Sequence, residues 1–276
     1  IKDSNYVENN YASLRNIMIE ANKFYTSMLK QSEGIKKYLD KRQVNPDMWE
    51  KFELGFAGSQ SNQLYLHLKK IGVNIEDALS LGLIKKSKHK ENEYYDFFRN
   101  RLMFPIKDYK SNLIAFGGRA IDNSNIKYIN SSDSPIFKKS LNLFNLNLAI
   151  EENRKVENLI VVEGYMDVIS LFQNNFKTTV APLGTALTSY QLQRAWKVCN
   201  SPIIMFDGDE AGQKAAERAA ILALSNISPD LSARFCLLPS DYDPDDFLLK
   251  NGPDDFKKVM NNSYSLSEFI WKVELE

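Results

Sequence analysis

Apolar residues follow two rhythms along the chain, and the change from one to the other divides it. Over residues 9–41, Ile17, Phe24, Met28, Leu29, Ile35 and Leu39 recur at broadly helical spacing, which predicts two helices broken near Gly34. Further helices are predicted over 62–70 and around 76–81, before a polar run at 85–93 that reads as a mobile loop. Residues 101–106 and 112–119 read as short strands joined by the turn Asp108-Tyr109-Lys110-Ser111. From about Glu157 the texture changes. Apolar runs at 159–162, 178–181, 202–206 and 233–238 are each followed by a helical pattern. Strand and helix alternating in this way predict a parallel sheet covered on both faces. The expected fold is therefore α/β, a parallel-sheet lobe preceded by an α+β lobe. Expected boundaries are 1–155, 156–262 and a final helical segment beginning at 263–276.

Composition narrows the classes. A chain of 276 residues with 43% hydrophobic content can bury two cores. Its 35 basic and 35 acidic residues cancel, so any nucleic-acid surface must come from local clustering. Cys199 and Cys236 fit neither a C-x-x-C metal pair nor a disulfide framework, which suggests a reducing cytoplasmic setting. No apolar run approaches the roughly 20 residues needed to cross a bilayer, so no membrane partner is expected. His67 and His89 lack metal-like partners and read as surface residues, and the chain opens on Ile1, as expected of a piece of a longer protein.

Acidic residues fall directly after the apolar runs. Glu163 closes L-I-V-V-E-G, Asp207 and Asp209 close I-I-M-F-D-G-D, and Asp243 and Asp245 follow C-L-L-P. In open α/β sheets the carboxyl ends of the strands form the ligand crevice, so three segments should bring carboxylates to one edge. Two carboxylates about 5 Å apart repel by about 3 kcal/mol at an effective dielectric near 20, so a cation belongs among them. Oxygen donors without histidine or cysteine favour Mg2+ or Mn2+, pairs of which serve phosphoryl transfer. Plainer readings exist for each piece: Asp207-Gly208 as a turn, Asp245 and Asp246 as helix caps, Gly164 as a strand-to-helix turn.

The strings E-G-Y-M-D (163–167), D-G-D (207–209) and D-P-D (243–245) resemble the TOPRIM module of primases, topoisomerases and some nucleases. V-V-E-G-Y-M-D-V is closer to the primase version. F-F-R-N-R-L-M-F-P-I (97–106), A-F-G-G-R (115–119), K-Y-I-N-S (127–131) and I-F-K-K-S (136–140) are similar to successive motifs of the bacterial DnaG-type primase core. Three positions depart from the usual pattern. Ile126 replaces a frequent proline, Gln43 follows Arg42 where glycine is usual, and Phe144-Asn145 replaces Tyr-Gly.

The resemblance implies a DNA-directed RNA polymerase that makes short RNA primers on single-stranded DNA from ribonucleoside triphosphates. It also implies that Glu163, Asp207 and Asp209 are catalytic and hold two Mg2+ or Mn2+ ions, with Asp243 and Asp245 completing the cluster. Asp167 would orient neighbouring groups, with Gly164 and Gly208 in supporting roles. The family's zinc-binding and helicase-binding modules are not expected here, so no zinc is expected, and the replicative helicase would be reached through a C-terminal domain. A monomer in the bacterial cytoplasm is expected.

Between residues 99 and 139, eight basic residues face three acidic ones, an excess of five. This suggests a stripe for template and nucleotide phosphates on Arg99, Arg101, Arg119, Lys127 and Lys139, with Tyr128 stacking on a base. Gly117-Gly118 would let a backbone approach beside Arg119. Two other readings stay open: a TOPRIM nuclease or topoisomerase fragment, and a non-catalytic single-strand-binding module.

Overall fold

The computed structural model describes residues 4–87, 92–122, 124–152 and 157–275, with side chains from Tyr11 onward other than Glu152. The chain forms two compact units, Ile1–Lys139 and Ser140–Glu276.

The first unit runs α1 (Ser4–Gln31), α2 (Glu33–Lys41), α3 (Pro46–Lys51), β1 (Gly55–Ala57), α4 (Gln63–Lys70), α5 (Ile75–Ser80), β2 (Ile84–Lys86), β3 (Tyr94–Asp96), β4 (Arg101–Lys107), β5 (Leu113–Ala120) and β6 (Tyr128–Asn130). The break between the first two helices falls at Ser32, which caps α2, and Gly34 lies inside that helix. Strands β1, β4, β5 and β6 form an antiparallel sheet in that order. Its core joins Leu14, Met18, Ala21 and Tyr25 of α1 to Met103 and Phe116, with the Tyr25 and Phe116 rings edge to face at 5.3 Å. The Asp108 carboxylate builds the predicted turn by accepting from the backbone N–H of Lys110 and of Asn112, both at 2.9 Å.

The polar run at 85–93 is not wholly a loop. Lys85 and Lys86 belong to β2, which pairs antiparallel with β3, while residues 88–91, including His89, lie outside the described residues. The pairing places Asp96 at the start of α4, where its two oxygens accept from Leu64 N at 2.8 Å and Tyr65 N at 2.9 Å. Burial pushes its carboxyl pKa up to about 6, against the pull of those hydrogen bonds and of Arg99. His67 is half-buried, its ring 5.0 Å from that of Phe24.

The second unit runs α6 (Leu146–Glu152), β7 (Ile160–Val161), α7 (Tyr165–Gln173), β8 (Thr179–Val180), α8 (Ser189–Trp196), β9 (Ile203–Phe206), α9 (Glu210–Leu224), β10 (Arg234–Leu237), α10 (Pro244–Asn261), β11 (Tyr264–Ser265) and α11 (Leu266–Leu275). Leu143, Leu146 and Ala149 pack into this unit's core, ahead of the texture change near Glu157. The sheet order is β11-β10-β9-β7-β8, parallel throughout except for β11. Val161, Ile204, Phe206 and Phe235 meet Leu192, Ala219 and Phe269 of α8, α9 and α11 on one face. On the other, α7 packs against α10, and the Cys236 thiol donates to Val259 O at 3.5 Å. The alternation of sides follows the period of two along each strand. Among the described residues no helix is long and apolar enough to cross a membrane.

Candidate active site

From β7 the chain steps outward to β8, then returns to place β9 on the opposite side of β7, so the strand order reverses between β7 and β9. Such a switch point opens a crevice at the carboxyl ends of the two strands. Glu163 follows β7, and Asp207 and Asp209 follow β9, so the reversal sets these three carboxylates on its two banks. Across it, Asp207 N donates to Glu163 Oε1 at 3.3 Å.

Asp209 caps α9, its Oδ1 accepting from Gly212 N at 2.7 Å, and Asp243 caps α10, its Oδ1 accepting from Asp246 N at 2.7 Å. The capping role expected of Asp245 or Asp246 thus belongs to Asp243, because Pro244 occupies the first helical position and lacks an N–H. Asp245 is buried and Asp246 exposed. Asp167 is buried in the first turn of α7, and its Oδ2 accepts from Gly164 N at 3.0 Å.

The carboxylates share one field. Glu163 reaches solvent, yet partial desolvation pushes its carboxyl pKa up, as does nearby Asp209, against the pull of the Asp207 N–H and of Arg218. Asp167 is pushed well above the usual carboxylate range by burial and then by Asp243, Asp207 and Asp245. All three acidic segments therefore converge. Among the described residues no three acidic, histidine or cysteine side chains are already gathered as a closed ligand set. The donor chemistry fits a hard divalent cation, since every candidate ligand is a carboxylate and neighbouring like charges raise the proton affinity of Glu163 and Asp167.

Two glycines hold these loops together. A methyl carbon at Gly208 would lie 2.1 Å from Pro239 O, and Gly208 N donates to Tyr242 O at 2.9 Å, so the loop after β9 lies directly on the loop after β10. A methyl carbon at Gly212 would lie 2.1 Å from Asp207 O. Sequence reasoning passed over Gly212, which lies three residues after Asp209 in the first turn of α9.

In the first unit the basic residues divide. Arg99, over the Tyr95 ring at 5.5 Å, and Lys127, 6.0 Å from the centre of the Tyr128 ring, are exposed. Lys139 is half-buried, with its backbone N–H on Asp133 Oδ1 at 3.0 Å. Arg101 and Arg119 do not join a displayed stripe, being 9% and 4% exposed, because β4 and β5 are buried along almost their whole length. The Arg101 guanidinium donates to Ile126 O at 3.0 and 3.1 Å and to Lys127 O at 3.2 Å. Arg119 donates to the Tyr128 hydroxyl at 2.8 Å and lies against the Tyr38 and Tyr128 rings. Nor is Gly118 an open approach: a methyl carbon there would lie 2.8 Å from the Phe98 ring and 3.1 Å from Arg101 Cδ.

Comparison with known proteins joins the two units. The family profile described as DNA primase catalytic core, N-terminal domain, matches residues 24–150, and a Toprim-like profile matches 160–248. The chain is 36% identical over 262 residues to the DNA primase of Pasteurella multocida and 37% identical over 270 residues to that of Clostridium acetobutylicum. It covers 44% of each of those proteins, using 94% and 97% of its own length. Among solved structures, it superposes on a DnaG primase catalytic domain bound to single-stranded DNA with a TM-score of 0.88 and 34% identity, covering 96% of this chain and 86% of that one. The Escherichia coli primase catalytic core gives 0.87 and 36%, covering 94% and 83%. The chain belongs to the DnaG-type primase catalytic core family.

Family membership lends weight to two departures in this chain. Gln43 and Asn145, each standing where the DnaG-type core usually has glycine, both have left-handed backbones, with φ of 55° and 67°. Asn145 is anchored there by Nδ2 donating to Thr179 O at 2.9 Å.

Proposed function

We propose that this chain is the RNA-polymerising core of a primase, a DNA-directed RNA polymerase that copies single-stranded DNA into short RNA primers from ribonucleoside triphosphates. The observation that carries the reading is the hydrogen bond between Asp207 N and Glu163 Oε1 across the switch point, with Asp209, Asp243 and Asp245 in the same field. The DnaG catalytic domain bound to single-stranded DNA supports the choice of template.

In this reading Glu163, Asp207 and Asp209 hold the divalent cations, and Asp243 and Asp245 complete the acidic edge. When bound, a pair of Mg2+ or Mn2+ ions supplies charge neutralisation at the attacking and leaving oxygens of a phosphoryl transfer. Glu163, on one bank of the switch point, takes the proton of the attacking 3′-hydroxyl. Asp167 holds Gly164 N and so fixes the turn that aims Glu163. Phosphates of template and nucleotide are taken by Arg99, Lys127 and Lys139, and Tyr128 stacks on a base. Arg101 and Arg119 act as positioning residues, fixing the backbone of Lys127 and the ring of Tyr128.

The test is synthesis of short RNA on a single-stranded template with ribonucleotides and Mg2+, using wild type and Asp209→Asn. Asparagine retains the helix cap, so the circular dichroism spectrum and template binding should persist while RNA synthesis falls by roughly 10²-fold or more, the scale of losing one preorganised electrostatic group. Full synthesis by the variant, or none by wild type, refutes the assignment.

A further inference from the structure

Past Asp96 the chain keeps to the sheet, since Phe97 N donates to Leu83 O at 3.0 Å and so carries the β2–β3 ladder one step further. Side chains alternate across an extended strand. Asp96 and Phe98 turn inward and are buried, which leaves Tyr95, Phe97 and Arg99 on the outer face of the hairpin. Lys85 of β2 stands directly opposite Tyr95 and joins that face. Two cations and two half-buried rings are therefore interleaved. Lys85 Nζ lies 5.1 Å from the centre of the Phe97 ring, and Arg99 Cζ lies 5.5 Å from that of Tyr95. Lysines elsewhere lean on acids, as Lys36 does on Glu33 at 2.7 Å, Lys138 on Asp133 at 3.6 Å and Lys258 on Asp255 at 2.7 Å. Among the described residues neither Lys85 nor Arg99 has an ion-pair partner. Asp96, behind them, spends its oxygens on Leu64 N and Tyr65 N. Two uncompensated cations on one face build a positive potential that an anion relieves.

The rings decide which anion. An acidic peptide or a duplex would need only the cations, whereas aromatic side chains set between cations suit a strand whose bases are unpaired and can stack. The face is also held in place before anything binds: Asp96 ties it to α4, and Asn100 N, directly after Arg99, donates to Gly58 O at 2.9 Å. A surface fixed beforehand gives up little freedom on capture. Lys127 lies close by, since Arg101, two residues along from Arg99, donates to its carbonyl oxygen at 3.2 Å. We propose that the outer face of the β2–β3 hairpin is a further contact for single-stranded DNA, with phosphates on Lys85 and Arg99 and a base against Tyr95, extending the template path beyond Lys127. This rests on the reading of the chain as a primase core that holds a single-stranded template.

The experiment is fluorescence anisotropy of a labelled oligothymidylate, and of a duplex of the same length, with the whole chain in EDTA at several salt concentrations. The variants are Lys85→Gln, Tyr95→Leu, Lys127→Ala and, as a control, Lys257→Gln, whose ammonium lies 3.9 Å from Asp254 on α10. Lys85→Gln should flatten the log–log salt slope on oligothymidylate by about 0.7, the share of one phosphate. Tyr95→Leu should weaken oligothymidylate by about ten-fold at an unchanged slope, and the duplex by less than about two-fold, as expected on losing a stacked base. Lys257→Gln should match wild type. Should circular dichroism show Tyr95→Leu misfolded, Lys85→Gln decides alone. A wild-type slope in Lys85→Gln, wild-type affinity in folded Tyr95→Leu, or equal losses on duplex and single strand would each overturn the proposal. If Lys127→Ala flattens the slope and Lys85→Gln does not, this face is idle and the primase reading stands. No binding of oligothymidylate by wild type would overturn both.

Discussion

Gly208→Ala is the sharpest test of how the acidic edge is assembled. The added methyl carbon would sit 2.1 Å from Pro239 O and 2.9 Å from Leu238 O, both backbone atoms that cannot rotate away. Restoring ordinary contact separates the loop after β9 from the loop after β10 by roughly 1 Å, and overpacking of this kind costs about 1–3 kcal/mol. For a unit of this size that corresponds to a fall in melting temperature of about 3–10 °C. The hydrogen bond from Gly208 N to Tyr242 O, 2.9 Å long, is lost or stretched in the process. Asp207 and Asp209 flank the displaced residue while Asp243 and Asp245 follow the loop it pushes on, so the carboxylates move apart. A displacement of about 1 Å at a reacting centre costs on the order of 10²-fold in rate. Thermal melts followed by circular dichroism and primer synthesis at saturating Mg2+ read the two effects. A variant that melts and polymerises like wild type would show that the two loops are not locked at Gly208.

Other outcomes follow from single contacts. Asp96 holds its proton to about pH 6 in the fold against a reference value of 3.8. The stability it contributes is therefore fully present below about pH 4 and is lost as pH rises through about 6, by up to about 3 kcal/mol, a slope that urea melts should show in wild type and miss in Asp96→Asn. Gln43→Gly should stabilise by up to about 1 kcal/mol in the same melts, since it relieves a left-handed backbone at the expense of a floppier unfolded chain. Lys127→Ala should flatten the salt dependence of single-strand binding by about 0.7 in log–log slope, measured by fluorescence anisotropy. Arg119→Ala should instead lower the melting temperature, as expected on removing a buried guanidinium that holds the Tyr128 hydroxyl.

The parallel sheet was legible because each of its four main strands is a short apolar run followed by a helix start, and Glu163, Asp207 and Asp243 stand at those junctions. Side-chain burial in the first unit was not. Arg101 and Arg119 look like surface charges in a basic stretch, and only the pairing of β4 with β5 shows that both positions lie inside. Lys85 and Lys86 were hidden for the opposite reason: a polar sequence forms a strand there because β3 offers it a partner. Strands β1 and β11, of three and two residues, are too short to leave a period. Gly212 escaped notice because nothing in a linear string tells a glycine that lets a helix touch a neighbouring carbonyl from one that merely fills a turn.

Strand β11 has a practical bearing on where the second unit can be cut. Its two residues pair with Arg234 and Phe235, and α11 then lays Phe269 flat on the Phe235 ring, with centroids 4.4 Å apart. A fragment ending at residue 262 would keep every carboxylate of the acidic edge yet leave β10 with unpaired amides and a bare aromatic ring at the sheet margin. Exposed strand margins of that sort recruit other chains. Such a fragment should precipitate or self-associate, whereas one ending after Leu275 should stay dispersed. The last dozen residues thus govern colloidal behaviour while lying outside the chemistry altogether.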